Sequence, residues 1–391
     1  MASNIIYIAR DIDRALGKTP TDDYFIITNE TSYSKEIKSK YPNNVFLIKS
    51  EEILDTYELL LNKEAQEIID SKQAKLLIFK NTIHIESLCK EKNWEILNPS
   101  AELSEMIENK ISQVSWLEEL SSYLPEHNIS LVKDIEWNKK PFILQWSHGH
   151  TGEGTILISK EDDLNSLKSK FSLREAKVTE FINGPVFTVN IVVTDTVILL
   201  GNISYQITGI LPFTENAFST IGNDWSLPHT ILTEAQLKSF DNIAEQIGKK
   251  MQNNKWKGLF GIDVIYNQEK DELKLIEINA RQPASTTYES ELQSQFNLNG
   301  ITTFDAHLLS LQNIPIASSL IPINDGAQIV QRVTKSSHNS NPIKLIEAGY
   351  RVIIYDNTKP NSDLIRIQSL RGIMETHMKF NSRGKEILDL I

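Results

Sequence analysis

Two runs decide how this chain reads: Gly258-Leu-Phe-Gly-Ile-Asp263-Val-Ile-Tyr266, and, after a polar stretch, Leu273-Lys-Leu-Ile-Glu277-Ile-Asn279-Ala-Arg281. Both are rich in Ile, Leu, Val, Phe and Tyr, which favour strands. Asn267-Gln-Glu-Lys-Asp-Glu272 between them is too polar for a core and reads as the loop of a hairpin. Depending on the turn, Asp263 then lies opposite Ile276 or opposite Glu277. In the second register the two carboxylates share one face of the ribbon. Asn279 joins them there, because strand side chains alternate. Like charges set opposite each other destabilise a sheet. A cation removes that cost, and hard oxygen donors suit magnesium holding nucleotide phosphates. Arg281 falls on the same side if the strand continues, where it would meet phosphate or carboxylate oxygens. The plainer reading, a pair of solvated edge strands, sits poorly with polar residues placed inside the apolar run Leu-Ile-Glu-Ile-Asn.

Outward from this hairpin, 391 residues are enough for two or three domains with ample core. The net charge is −11, with Lys and Arg spread along the chain rather than clustered. That argues against nucleic acid or an anionic membrane as the main partner. A single cysteine, Cys89, excludes an internal disulfide and fits a reducing compartment. Met1-Ala-Ser-Asn-Ile-Ile-Tyr7 has no signal-peptide pattern and no apolar run approaches the ~20 residues of a membrane span, so the expected setting is cytoplasmic. The eight histidines show no zinc spacing, and no P-loop or Gly-x-Ser-x-Gly elbow occurs.

Residues 4–100 alternate short apolar runs with helical patterns. Strands are expected at 4–8, 24–27, 45–48 and 76–79 with a last one at 95–98, and helices at 31–40, 51–70 and 84–92; this predicts a small parallel sheet. Arg10–Lys18 would lie at its carboxyl edge, where ligands often bind. A helical run covers 101–122. Strand, glycine-bearing loop and strand follow, with Ser147-His-Gly-His-Thr-Gly-Glu-Gly-Thr155 at the centre. Its glycines let backbone N–H groups approach an anion. Strands are expected at 178–182, 187–193 and 197–205, then an irregular loop over 211–228. Thr233 with Gln236 gives a capping box ahead of one apolar helix stripe. A helix is expected at 300–311, and strands at 326–333 and 350–355.

This order of parts resembles the ATP-grasp superfamily, of the biotin carboxylase and D-alanine–D-alanine ligase type. The parts are a small parallel-sheet domain, a glycine-loop hairpin, a hinge strand ending near Gly184-Pro185, then Gly-x-Asp263…Glu277-x-Asn279-x-Arg281. The likeness covers roughly residues 1–335. It implies a fold of mixed α/β and α+β class. Its units are an N-terminal Rossmann-like pre-ATP-grasp domain (1–105), a lid subdomain with the glycine loop (106–178) and an ATP-grasp core with an antiparallel sheet and the metal site (179–335). An α/β extension (336–391) follows. By position, Asp263, Glu277 and Asn279 resemble the ligands of magnesium (or manganese), and Asn279 and Arg281 the catalytic pair. ATP contacts fall to Lys110, to the lid residues Gln145, Gly149, Thr151, Gly152, Gly154 and Thr155, and to the hinge Glu180, Phe181 and Ile182.

There are departures. The family's second phosphate lysine falls at Gln145, which can donate hydrogen bonds but carries no charge. No acid follows the hinge for the ribose; Thr188 or Asn190 stands in its place. The resemblance implies an ATP-dependent ligase that joins a small carboxylate to an amine or thiol through an acyl phosphate, with a homodimer among the expected states. A phosphotransferase, a nucleotide-binding module without turnover and a bicarbonate-dependent carboxylase remain as alternatives. For the second substrate, Ser204, Gln206, Asn223, Gln282, Ser285 and Thr286 are candidates, with Asp224 and Arg281 ahead of them.

Overall fold

A computed structural model of the chain describes residues 4–148, 154–295, 299–335 and 341–391. Gly149, Thr151 and Gly152 of the glycine loop lie outside them. The N-terminal part is a parallel sheet of β1 (Ile5–Ala9), β2 (Tyr24–Asn29), β3 (Val45–Ile48) and β4 (Lys75–Ile78), in the order β3-β2-β1-β4. The strands are buried on both faces, as parallel strands between helices must be. The expected helix over 51–70 is two helices, Thr56–Leu61 and Lys63–Lys72. Asp55 and Glu58 form a capping box that starts the first, and the Asn62 side chain accepts from the N–H groups of Glu64 and Ala65 to start the second. The stretch 95–98 makes only an isolated bridge from Ile96 to Leu76.

A second sheet of four antiparallel strands lies in the segment expected as the lid: β5 (His127–Leu131), β6 (Phe142–Gln145), β7 (Thr155–Ile158) and β8 (Glu175–Glu180), in the order β5-β8-β6-β7. Strand β5 was not expected, since Asn and Ser dilute its apolar pattern. Leu144, Ala176, Ile158 and Trp146 face the helix Glu161–Phe171, which carries Leu164 into the same core.

The rest of the described residues hold one sheet of nine strands and a separate two-stranded ribbon, Met374–Thr376 with Lys379–Phe380. The large sheet runs β14 (Glu272–Asn279), β13 (Gly258–Asn267), β9 (Val186–Val193), β11 (Ser204–Thr208), β12 (Thr220–Asp224), β15 (Ala327–Arg332), β17 (Asp363–Ser369), β16 (Arg351–Ile354), with β10 (Ile198–Leu200) beside β9. Residues beyond 341 thus extend the same sheet. Thr220–Asp224 lies within the stretch read as an irregular loop. Its Gly, Asn and Asp are poor strand formers, yet Gly222 is needed there: a Cβ at this position would sit 2.1 Å from the Gln328 carbonyl oxygen. One face of the sheet packs on the helix Glu234–Asn253, started by the Thr233–Gln236 capping box and buried through Phe240, Ile243, Ala244, Ile247 and Met251. The helix Thr303–Leu311 packs against β9 and β13 on the other face. Among the described residues no helix is long and apolar enough to cross a membrane. Cys89 is buried and free.

Candidate functional site

Strands β13 and β14 pair in two registers. Near the turn Val264 faces Leu275 and Tyr266 faces Leu273; beyond a bulge at Ile276, Asp263 faces Glu277 and Ile262 faces Ile278. The extra residue shifts the side-chain phase by one. Leu273 and Leu275 point into the core before it, and Ile278 and Ala280 after it. Without the bulge, continued alternation would turn Glu277 toward the core. The bulge instead re-aims it beside Asp263. Both registers weighed from the sequence are therefore present, and the site uses the second.

Asp263 is 6% exposed, whereas 32% of the Glu277 side chain is open, so the pair reaches solvent through Glu277. Burial, and then the charge of Glu277, push the Asp263 carboxyl up to about 6, against hydrogen bonds from Thr188, Gln206 and Asn279. Asn279 Nδ2 donates to Asp263 Oδ2 at 3.3 Å. Burial also pushes Glu277 up, but Lys110, Arg281 and Lys177 outweigh it and hold the carboxyl below its usual range. Lys110 Nζ lies 2.9 Å from Glu277 Oε1.

Lys110 does not sit on a continuous helix. The expected run breaks at 109–111 between the helices Ala101–Glu108 and Ser112–Leu117. Asn109 Oδ1 accepts from the N–H groups of Ile111 and Ser112, which opens a turn that aims Lys110 inward. The same turn meets the base of the glycine loop, where the Lys110 N–H donates to the Ser147 carbonyl at 3.1 Å. Strand β14 ends at Asn279 and Arg281 follows it outside the ladder. Arg281 nevertheless reaches the site, because Nη2 donates to Asn279 Oδ1 at 2.8 Å and Nη1 pairs with the buried Glu108. Lys80 pairs with the same carboxylate. Nothing local in the sequence marks Glu108, 173 residues before Arg281, as its clamp.

In the lid, Gln145 lies opposite Thr155 at the mouth of the β6–β7 hairpin, and its Nε2 donates to Thr155 Oγ1 at 3.4 Å. The Trp146 N–H closes the turn onto the Gly154 carbonyl at 3.0 Å. His148 is paired with Glu105. At the hinge, β8 ends at Glu180, whose carboxylate is 2.9 Å from Lys270. Phe181 is exposed and Ile182 half-buried, outside any ladder. The sequence reading missed Lys177, which is 1% exposed and directly opposite Gln145. Burial, then the charge of Lys110, pull it down to about 8, with Glu277 acting the other way. Its signal was the period-2 pattern Lys177-Val-Thr179, hidden because the strand was started at Val178.

Several expected partners of substrate are committed elsewhere. Asp224 is fully buried. Its Oδ1 accepts from Ser226 N, Ser226 Oγ and Leu227 N, and its Oδ2 from Ile373 N and Met374 N, at 2.6–3.0 Å. With every lone-pair direction filled it holds the chain together and is not a substrate contact. Asn190 bonds Ser285 and Glu289, so it is not free for a ribose; Thr188 serves Asp263. Gln282 accepts from Tyr7 Oη at 2.7 Å and donates to the Arg14 carbonyl at 2.8 Å, bracing the N-terminal sheet against the core. Gln206, Asn223, Gln328, Gln368 and Arg351 follow one another as cross-strand partners from β11 to β16. This row of polar side chains leads from Asp263 to a small recess of about 10 Å³ lined by Asp13, Tyr33, Gln328, Arg351, Arg366 and Gln368, among others.

Among the described residues, no three His, Cys, Asp or Glu side chains gather as a metal group. The donors at the bulge are two carboxylates; the Asn279 amide turns its nitrogen to Asp263 and its oxygen to Arg281, and a half-turn of that amide adds a third hard oxygen donor. The fold is the ATP-grasp fold, and residues 107–285 match the model of the ATP-grasp domain. No curated protein sequence matches the chain. Among solved structures it resembles N5-carboxyaminoimidazole synthetase from Staphylococcus aureus (12% identity, 100% of this chain and 97% of that one, TM-score 0.69). It also resembles N5-carboxyaminoimidazole synthase from Aspergillus clavatus in complex with ADP and 5-aminoimidazole ribonucleotide (16%, 99% and 98%, 0.68). A third likeness is to biotin carboxylase from Campylobacter jejuni in a β,γ-ATP complex (14%, 94% and 88%, 0.65). At these identities the likeness is one of fold.

Proposed function

We propose that this chain is an ATP-dependent ligase that activates a small carboxylate as an acyl phosphate and passes the acyl group to an amine or thiol. The observation that carries the reading is the bulge that sets Asp263 opposite Glu277, with Lys110 bonded to Glu277. Like charges held opposite each other on a buried ribbon fit a divalent cation. Asp263, Glu277 and Asn279 would hold magnesium. When bound, that ion neutralises the nucleotide phosphates. Lys110 contacts phosphate, and the hinge backbone at Glu180, Phe181 and Ile182 reads the adenine edge. Gln145, Gly154 and Thr155, with Gly149, Thr151 and Gly152, cover the phosphates as a lid and keep water from the intermediate.

A carboxylate oxygen takes the γ-phosphoryl and ADP leaves. The nucleophile then attacks the acyl carbon, and phosphate leaves with the carbon–oxygen bond that breaks. Arg281, oriented by Glu108, spreads charge on the moving phosphoryl. The second substrate lies along the polar row of the large sheet. Residues 1–105, 106–178 and 179–335 act as N-terminal, lid and core units, and 336–391 completes the core sheet. The single buried thiol supports a reducing, cytoplasmic setting.

The test is ADP release over a panel of amino acids, small carboxylates, bicarbonate and 5-aminoimidazole ribonucleotide, singly and in pairs, with product masses. The ligase reading expects free phosphate in step with ADP only when carboxylate and acceptor are both present. A phosphorylated product without free phosphate would make the chain a phosphotransferase. ATP binding with no ADP across the panel would make it a non-catalytic module.

A further inference from the structure

Lys177 stands in a place where a lysine is costly. It lies on β8, with Gln145 opposite it on β6 and Thr155 opposite Gln145 on β7. Directly opposed side chains share a face, and this face is turned away from the Leu144–Ala176–Ile158 core of the lid. It looks toward Lys110 and Glu277, the two charges that act on Lys177. At 1% exposure the side chain is almost wholly enclosed, and among the described residues its ammonium has no hydrogen bond or ion pair. Glu277, the anion of the two charges that act on it, is already bonded to Lys110. Enclosing a lysine without a paired anion is unfavourable, and Val or Thr would suit the strand better. A site with two lysines and one engaged carboxylate is short of negative charge, and an anion entering between the lid and the large sheet would supply it.

We propose that Lys177 contacts nucleotide phosphate and provides, from the neighbouring strand, the positive charge that Gln145 lacks. The inference rests on the nucleotide reading above and adds to it which strand of the lid carries the second cation.

The experiment uses the full chain with magnesium and measures binding of ATP and of adenosine by calorimetry, together with thermal midpoints. Lys177→Met keeps the length of the side chain and removes the charge. It should weaken ATP about 30-fold, the scale of a charged hydrogen bond, and change adenosine less than about 2-fold. Its midpoint without nucleotide should equal or exceed that of the unaltered chain, because an unpaired buried charge is gone, while the upward shift given by ATP should shrink. The exchange Gln145→Lys with Lys177→Gln moves the charge back across one ladder step and should restore ATP affinity to within about 5-fold. Equal ATP affinity in Lys177→Met, with binding by the unaltered chain intact, overturns this inference alone. So does a parallel loss of ATP and adenosine together with a lowered midpoint, which would mark a structural lysine. Failure of the unaltered chain to bind ATP at all overturns the nucleotide reading and this inference with it.

Discussion

Asp263→Asn and Glu277→Gln should each lower magnesium-dependent ADP formation by about 10³-fold or more, the scale on which preorganised charge stabilisation is lost when one member is removed. The folded chain should remain. The two carboxylates face each other across the β13–β14 ladder, an arrangement that is unfavourable without a cation. Asp263→Asn should therefore leave the midpoint without magnesium unchanged or higher, whereas Glu277→Gln, which takes the partner from Lys110, should lower it slightly with the chain still folded. Unaltered turnover in either variant, measured at saturating ATP and magnesium with the substrates the screen identifies, would remove the metal assignment. Loss of activity through unfolding would be seen as a lowered midpoint and would not count for it.

Asp224→Ala should do the reverse, with a loss of stability of about 4 kcal/mol or more and no specific loss of ligand. Five donors end on this carboxylate. Three come from Ser226 and Leu227 at the end of β12, and two from the backbone of Ile373 and Met374, nearly 150 residues further on. Each donor left buried without a partner costs about 1–3 kcal/mol, and partial relaxation sets the smaller total. Urea unfolding of the variant measures the loss. Its ATP affinity per folded molecule should match that of the unaltered chain. A stable variant with impaired binding of the second substrate would return Asp224 to the role the sequence suggested for it.

That reversal shows where sequence and structure part. The acid pair was legible because its residues lie close in sequence and the strand period limits the register to two choices. The bulge at Ile276 chose between them, and no propensity marks a bulge inside Leu-Ile-Glu-Ile. The helix Glu234–Asn253 was legible from its capping box and apolar stripe. Strand β12 was not, because Thr-Ile-Gly-Asn-Asp is strand only by virtue of its neighbours: Gly222 admits the Gln328 backbone, and Asp224 is fixed by residues 373 and 374. The break at Asn109 that aims Lys110 inward is a local capping event inside a helical pattern. Glu108, Thr188 and Gln206 serve the site through pairings distant in sequence, with Arg281 and with Asp263. Lys177 was missed for a different reason. A lysine in a strand reads as solvated, and only the opposing Gln145 shows that it is buried in the cleft.

The most direct measurement is a crystal structure of the chain with magnesium and a non-hydrolysable ATP analogue. The account predicts the triphosphate between the lid and the large sheet. It predicts a magnesium ion about 2.0–2.1 Å from carboxylate oxygens of Asp263 and Glu277 and from phosphate oxygens. A nucleotide bound elsewhere, or one bound here with no metal touching either carboxylate, would contradict it.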